Sequence, residues 1–161
     1  MTKIEIERRF LLKRAPRLKP TEKPLNIVQI YISENNTIIR YRLQHTGFWL
    51  FSKFKCYKTV KRDIGVIGGM EETEIEISFD DFSDIYLNNN HKEIHKIRRR
   101  YNVNGLIWEI DKFKDMELVI CEVELNDINQ TITIPNFIKD ELIMEITGIR
   151  EFSNYNLAKL S

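Results

Sequence analysis

Charge and apolar side chains alternate along this chain with a period of two. In Ile4-Glu5-Ile6-Glu7-Arg8-Arg9-Phe10 successive strand side chains point to opposite faces, so Glu5, Glu7 and Arg9 share one face. Ile4, Ile6, Arg8 and Phe10 share the other. The pattern recurs in Ile39-Arg40-Tyr41-Arg42-Leu43, Lys53-Phe54-Lys55, Glu74-Ile75-Glu76-Ile77, Ile97-Arg98-Arg99-Arg100-Tyr101, Trp108-Glu109-Ile110-Asp111 and Cys121-Glu122-Val123-Glu124-Leu125. An antiparallel sheet with one dry and one wet face would account for any single segment. It does not account for the sorting. A solvated face mixes neutral polar residues with opposite charges set across from each other. Here the segments around Glu74, Glu109 and Glu122 are acidic, and those around Arg40, Lys53 and Arg98 are basic. Like charges two apart on one face repel, and a bound ligand is needed to offset the cost. Carboxylates in number suit a hard divalent cation, and Arg and Lys suit phosphate oxygens.

The 161 residues, 42% of them hydrophobic, are enough for one cored domain and too few to suggest two, so residues 1–161 are expected to form a single domain. Twenty-five basic and 24 acidic residues leave a formal charge of +1, so no bulk field recruits nucleic acid or a membrane. Neither is expected as a partner, and a homodimer is compatible with the sequence. The opening Met1-Thr2-Lys3-Ile4-Glu5 has no apolar run of the signal-peptide kind, and the expected location is the cytoplasm. Cys56 and Cys121 read as ordinary buried thiols within strands.

A first strand over about residues 3–13 runs into a connection whose Pro16, Pro20 and Pro24 exclude helix interior and central strand. Strands follow at Leu25–Ser33 and Ile38–Gln44, with Glu34-Asn35-Asn36-Thr37 as their turn. An aromatic-rich strand is expected over Phe48–Tyr57, and a loop over Lys58–Gly69. Glu71–Phe79 reads as strand and leads into a short helix behind Asp80-Asp81, with Phe82, Ile85 and Tyr86 at helical spacing. His91 and His95 read as a solvated turn. A hairpin spans 92–103 and 105–114, Leu118–Leu125 is the last clear strand, and short helical pieces follow Pro135, Ser153 or Asn154 capping the last. Eight sequential antiparallel strands favour a closed barrel, because closure removes unpaired edges. The fold class expected is therefore mainly β: a closed eight-stranded tunnel, apolar outside against a few short helices and charged within.

These residues resemble the CYTH superfamily, the triphosphate tunnel metalloenzymes, which includes inorganic triphosphatases, thiamine triphosphatases and class IV adenylyl cyclases. The family opens on Glu-x-Glu-x-Lys, and the chain reads Glu5-Ile6-Glu7-Arg8-Arg9. Further matches run in order: Gln29-Ile30-Tyr31, Arg40-Tyr41-Arg42, Glu74-Ile75-Glu76, Arg98-Arg99-Arg100-Tyr101, Glu109-Ile110-Asp111, Glu122-Val123-Glu124-Leu125, Glu145-Ile146-Thr147 and Asn154-Tyr155-Asn156-Leu157-Ala158. The resemblance implies a tunnel that binds a triphosphate chain with Mg2+ or Mn2+. It implies metal-facing roles for Glu5, Glu7, Glu74, Glu76, Asp111, Glu122 and Glu124. Arg9, Arg40, Arg42, Arg98 and Arg100 become the phosphate-facing bases, together with Lys53 or Lys55, which share a face. Tyr31 falls where triphosphatases of the family carry a tyrosine near the reacting phosphate, and is expected to transfer a proton or position a group.

The chain departs from the family in having Arg9 for the signature Lys, Arg98 for a usual Lys, no base before the fifth-strand acids, and Glu151 where many members have Arg. The function expected is metal-dependent hydrolysis of a triphosphate, inorganic tripolyphosphate foremost. A class IV-type cyclase and a non-catalytic polyphosphate- or nucleotide-binding module are the alternatives.

Overall fold

A computed structural model describes residues 2–34, 37–47 and 53–160. Eight strands form the barrel wall: β1 (Thr2–Leu12), β2 (Leu25–Glu34), β3 (Thr37–Thr46), β4 (Lys55–Asp63), β5 (Gly69–Ile77), β6 (Lys92–Val103), β7 (Leu106–Phe113) and β8 (Val119–Leu125). Every neighbouring pair is antiparallel, in the circular order β6-β2-β3-β4-β5-β1-β8-β7, and β7 pairs back onto β6. Most neighbours are sequential hairpins. The exceptions are β2, which pairs with β6, and β1, which slots between β5 and β8.

β1 divides one of its edges. Thr2–Ile6 pair with β5, whereas Phe10–Leu12 pair with β9 (Leu142–Glu145), a short strand outside the barrel. Two segments bridge the gap between them. Gly68 accepts a hydrogen bond from the Glu7 amide through its carbonyl (2.9 Å), and Thr147 Oγ1 accepts from the Arg9 amide (3.0 Å). A tenth strand, β10 (Lys159–Leu160), adds two residues to β6.

Apolar residues line the outside of the wall and are covered from both sides. Helix α1 (Phe79–Asn88), capped by Ser78 and Asp81, lays Phe82 on Ile30, Ile39, Tyr41, Leu43 and Cys56. Helix α2 (Asn136–Lys139) sets Ile138 against Phe10, Trp108, Ile110, Cys121 and Val123. Both cysteines are thus buried thiols. A third apolar cluster lies inside. Inward positions beyond the charged ones, Ile94, Phe113 and Ile120, pack with Tyr31, Ile146 and Ala158 and form an apolar floor. Helix α3 (Asn154–Leu157), capped by Ser153, lies in the segment that completes it.

Two expectations are corrected. The fourth strand lies at Lys55–Asp63, where a loop was expected from Lys58, while Phe48–Ser52 and the turn residues Asn35 and Asn36 lie outside the described residues. β4 carries few apolar residues on either face and so lacks the alternation that marks a strand, but β3 and β5 supply its hydrogen bonds. His91 is buried, not solvated. Its ring packs on Tyr86 of α1 (4.7 Å between centroids), and Nδ1 donates to the Asn89 carbonyl (2.9 Å).

Gly68 holds φ at +76°, and a Cβ there would stand 2.5 Å from the Glu7 carbonyl oxygen. Gly68→Ala is expected to cost about 2 kcal/mol and to lower the melting temperature by roughly 4–8 °C, which a thermal denaturation scan reads directly.

Candidate active site

The barrel encloses a cavity of about 1220 Å3 walled by inward side chains of all eight strands. β6 contributes Lys96, Arg98 and Arg100; β2 contributes Gln29 and Tyr31; β3 contributes Arg40 and Arg42; β4 contributes Tyr57, Thr59 and Lys61. These four strands are contiguous in the ring and make a basic half-wall, with Asp63 at its margin. β5 adds Glu72, Glu74 and Glu76, β1 Glu5 and Glu7, β8 Glu122 and Glu124, and β7 Glu109. They form the acidic half-wall, interrupted by Lys3 and Arg9 of β1. In an eight-membered ring the strand four places on is opposite, so the arginines of β3 face the glutamates of β8 across the bore.

Charge pairs knit the wall together in two groups. Lys61 bridges Glu5 and Glu72, the latter at 2.9 Å. Arg40 and Arg42 reach Glu74 at 3.3 and 3.1 Å, and Thr59 donates to the same carboxylate at 2.8 Å. In the second group Arg98 grips Asp111 with two donors at 2.7 Å each, meets Glu122 at 2.8 Å and pairs with Glu109. Lys96 donates to Asp111 at 2.6 Å, Arg9 to Glu122 at 3.0 Å and Arg100 to Glu109 at 2.8 Å. Pairing of this density lets charges sit inside a barrel, since a buried ion without a partner costs several kcal/mol.

The pairing does not use every donor. Arg9 Nη2, Arg40 Nε and Arg42 Nε are buried without a protein acceptor. Buried donors of this kind are costly to leave unmade, and an anion within the bore would satisfy them. On the acidic side, register sets Glu7 opposite Glu124 and Glu109 opposite Glu122, like charge against like charge. Burial, reinforced by Glu122, pushes the Glu7 carboxyl from its ordinary 4.5 up to about 7. Its neighbour behaves oppositely: burial opposes ionisation of Glu122, yet Arg9 and Arg98 outweigh it and hold that carboxyl below its ordinary range. Among the described residues no three acidic, imidazole or thiol side chains are already gathered around one point.

Three expected positions are corrected by the geometry. Asp111 does not line the bore. It is fully buried behind it, where burial alone would raise its carboxyl but Arg98 and Lys96 prevail and hold it well below the usual range. It is an anchor for two bases. Lys53 precedes β4 and is exposed, and Lys55 pairs with Gln44 at an exposed end of the ladder. The fourth-strand lysine of the bore is Lys61, hidden in the segment read as loop and marked by its register opposite Glu72. Lys96 was also missed. It stands two residues before Arg98 on the same face and lines the bore with it. Of the other expected residues, Glu5, Glu7, Glu74, Glu76, Glu122, Glu124, Arg9, Arg40, Arg42, Arg98, Arg100 and Tyr31 all line the cavity. Burial raises the Tyr31 hydroxyl to about 12, so it remains an O–H donor at neutral pH, and its ring packs edge-on to Tyr155 (5.7 Å).

No family model matches the chain. The inorganic triphosphatase NE1496 superposes with a TM-score of 0.61 over 96% of this chain and 93% of that one, at 23% identity. The chain shares the closed antiparallel barrel fold of that protein. The PH1819 protein from Pyrococcus horikoshii OT3 also superposes, with a TM-score of 0.55 over 84% of this chain and 82% of its own, at 16% identity. In sequence, the chain is 37% identical over 68 residues to an inorganic triphosphatase of Acetivibrio thermocellus. That match spans 41% of this chain and 41% of the relative, well under half of either.

The raised Glu7 carboxyl sets the pH dependence of the empty tunnel. A group whose pKa is higher folded than unfolded stabilises the fold at low pH relative to high, so stability falls as pH rises from about 4.5 to about 7 and then levels. Glu7→Gln removes the penalty: its melting temperature should match wild type below pH 4.5 and exceed it at pH 8, by an equivalent of up to about 3 kcal/mol. Paired thermal scans at the two pH values test this.

Proposed function

We propose that this protein is a divalent-metal-dependent triphosphatase that hydrolyses inorganic tripolyphosphate within the tunnel. The observation that carries the reading is the division of the bore into a basic half-wall with unsatisfied guanidinium donors and an acidic half-wall whose register sets carboxylate against carboxylate. A polyanion against the first and a hard cation against the second relieve both. The names of the two triphosphatases similar to this chain support the same reading.

Arg40, Arg42, Arg98, Arg100, Lys61 and Lys96 bind and orient the phosphate chain, Arg9 adds a donor from the opposite wall, and Tyr31 offers its O–H to a phosphate oxygen. Glu7, Glu122 and Glu124 would hold the cation, with Glu5, Glu74 and Glu76 nearby on the same half-wall. Oxygen donors in this number suit Mg2+ or Mn2+. When bound, the ion would neutralise charge on the phosphate oxygens and acidify water. In the overall reaction the oxygen of water bonds to the terminal phosphorus and the bridging P–O bond breaks. Orthophosphate, pyrophosphate and one proton result. The apolar floor keeps further water from that end of the chain.

Incubating the protein with tripolyphosphate and Mg2+ or Mn2+ should release orthophosphate, and Glu122→Gln should lower the rate by at least about tenfold. Pyrophosphate with a cyclic nucleotide from ATP, or tight binding without product, would overturn the assignment. Metal binding has its own readout. Without substrate, Mg2+ should raise the melting temperature more at pH 8 than at pH 5.5, because Glu7 must lose its proton to take part.

A further inference from the structure

Gln29 is the neutral amide that a barrel strand turns into the bore, Asn154 of α3 being the other amide of its lining. It is 2% exposed, lies on β2 between Ile27 and Tyr31 on the inward face, and has Arg42 and Ile94 as its ladder neighbours. Its Oε1 is buried and has no hydrogen-bond partner in the protein. A carbonyl oxygen so placed carries a desolvation penalty of about 1–3 kcal/mol unless something donates to it. The surrounding bases do not: Arg42 Nη2 and Lys96 bond Glu74 and Asp111, and Arg42 Nε, itself without an acceptor, is not bonded to Oε1.

The chemistry of the ligand narrows what can. A fully ionised triphosphate presents acceptors only, so it can satisfy the orphan donors of Arg9, Arg40 and Arg42 but never an acceptor. The metal belongs to the opposite half-wall. What remains is a small O–H donor brought in with the reaction. We infer that Gln29 seats the nucleophilic water, accepting a hydrogen bond from it through Oε1 so that a lone pair is turned toward the terminal phosphorus. The inference rests on the triphosphatase reading and gives the bore a polarity of role. The arginines locate the electrophile and the amide locates the nucleophile, which places the cleaved phosphate at the level of Gln29 near the apolar floor. Water is the co-reactant, its oxygen going to the released orthophosphate.

Gln29→Met keeps the length of the side chain and removes the acceptor. Tripolyphosphate hydrolysis is measured at pH 8.5, where the terminal phosphate is ionised, with KM, kcat and the Mg2+-induced melting shift recorded for both proteins. The expected result is a fall in kcat of about tenfold to a hundredfold, with KM and the Mg2+ shift within about twofold of wild type. A raised KM with unchanged kcat would make Gln29 a phosphate contact, a lost Mg2+ shift would make it a metal ligand, and no change would leave it a wall residue; each overturns the inference. If Gln29→Met also melts early, Gln29→Glu, which keeps shape and acceptor, is read instead. A kcat within about threefold of wild type supports the water seat, and a loss beyond about tenfold overturns it. Failure of the wild-type protein to release orthophosphate at all would strike the triphosphatase reading itself and take this inference with it, whereas a hydrolysing wild type with a silent Gln29→Met strikes the inference alone.

Discussion

Everything in this molecule depends on compensating charge inside a closed sheet. A barrel of this size ordinarily fills its interior with aliphatic side chains, and the ionised groups here would forbid folding if they were left unmatched. The solution is to match them across neighbouring strands. Asp111, which touches no cavity, shows the principle most plainly: its two oxygens receive Arg98 twice and Lys96 once, fixing two bases at the wall of the bore. Glu122 receives Arg9 and Arg98 in the same way. The residues that hold the fold together are therefore the same ones that shape the site, and strength and readiness for a ligand are not separable properties of this wall.

What the pairing leaves over is as informative as what it consumes. Nine-tenths or more of buried polar groups in proteins find a partner, so a bore in which three guanidinium nitrogens and the amide oxygens of Gln29 and Asn154 do not is arranged for something else. The leftovers are of both kinds. Donors on Arg9, Arg40 and Arg42 call for an anion, the acceptor on Gln29 calls for a donor, and the like-charged register pairs of β1, β7 and β8 call for a cation. A phosphate chain, a water and a metal ion meet those three needs.

The architecture was legible because a period of two survives in most strands: β1, β3, β5, β6 and β8 each show charge on one face and apolar residues on the other, and the helix behind Asp80-Asp81 announces itself by its cap. β4 was not legible. Its inward Tyr57, Thr59 and Lys61 and its outward Lys58 and Arg62 are too alike in polarity to signal a strand, so the aromatic run before it drew the boundary several residues early and hid Lys61. Asp111 misled for another reason. A sequence shows that a carboxylate faces inward, but whether it meets a ligand or a base behind the wall depends on the depth of the residue, and depth is set by strand tilt and by the length of the neighbouring side chains. Lys96 was masked by the run Arg98-Arg99-Arg100, although its spacing from Arg98 would have placed it on the same face.

The seam along β1 bears on how the chain assembles. Its partners β5, β8 and β9 begin at residues 69, 119 and 142, so the earliest strand of the barrel finds its final neighbours only when most of the described residues have been synthesised. Contacts of such sequence separation are slow to form, because a long loop must be closed before any of them is rewarded. Until then the β2–β5 and β6–β8 meanders have open margins with unpaired amides, and Lys61 and Glu122 lack their partners Glu5 and Arg9 on β1. Ring closure and completion of the charged chamber are consequently one event, late on the folding path, with the earliest strand of the barrel arriving last.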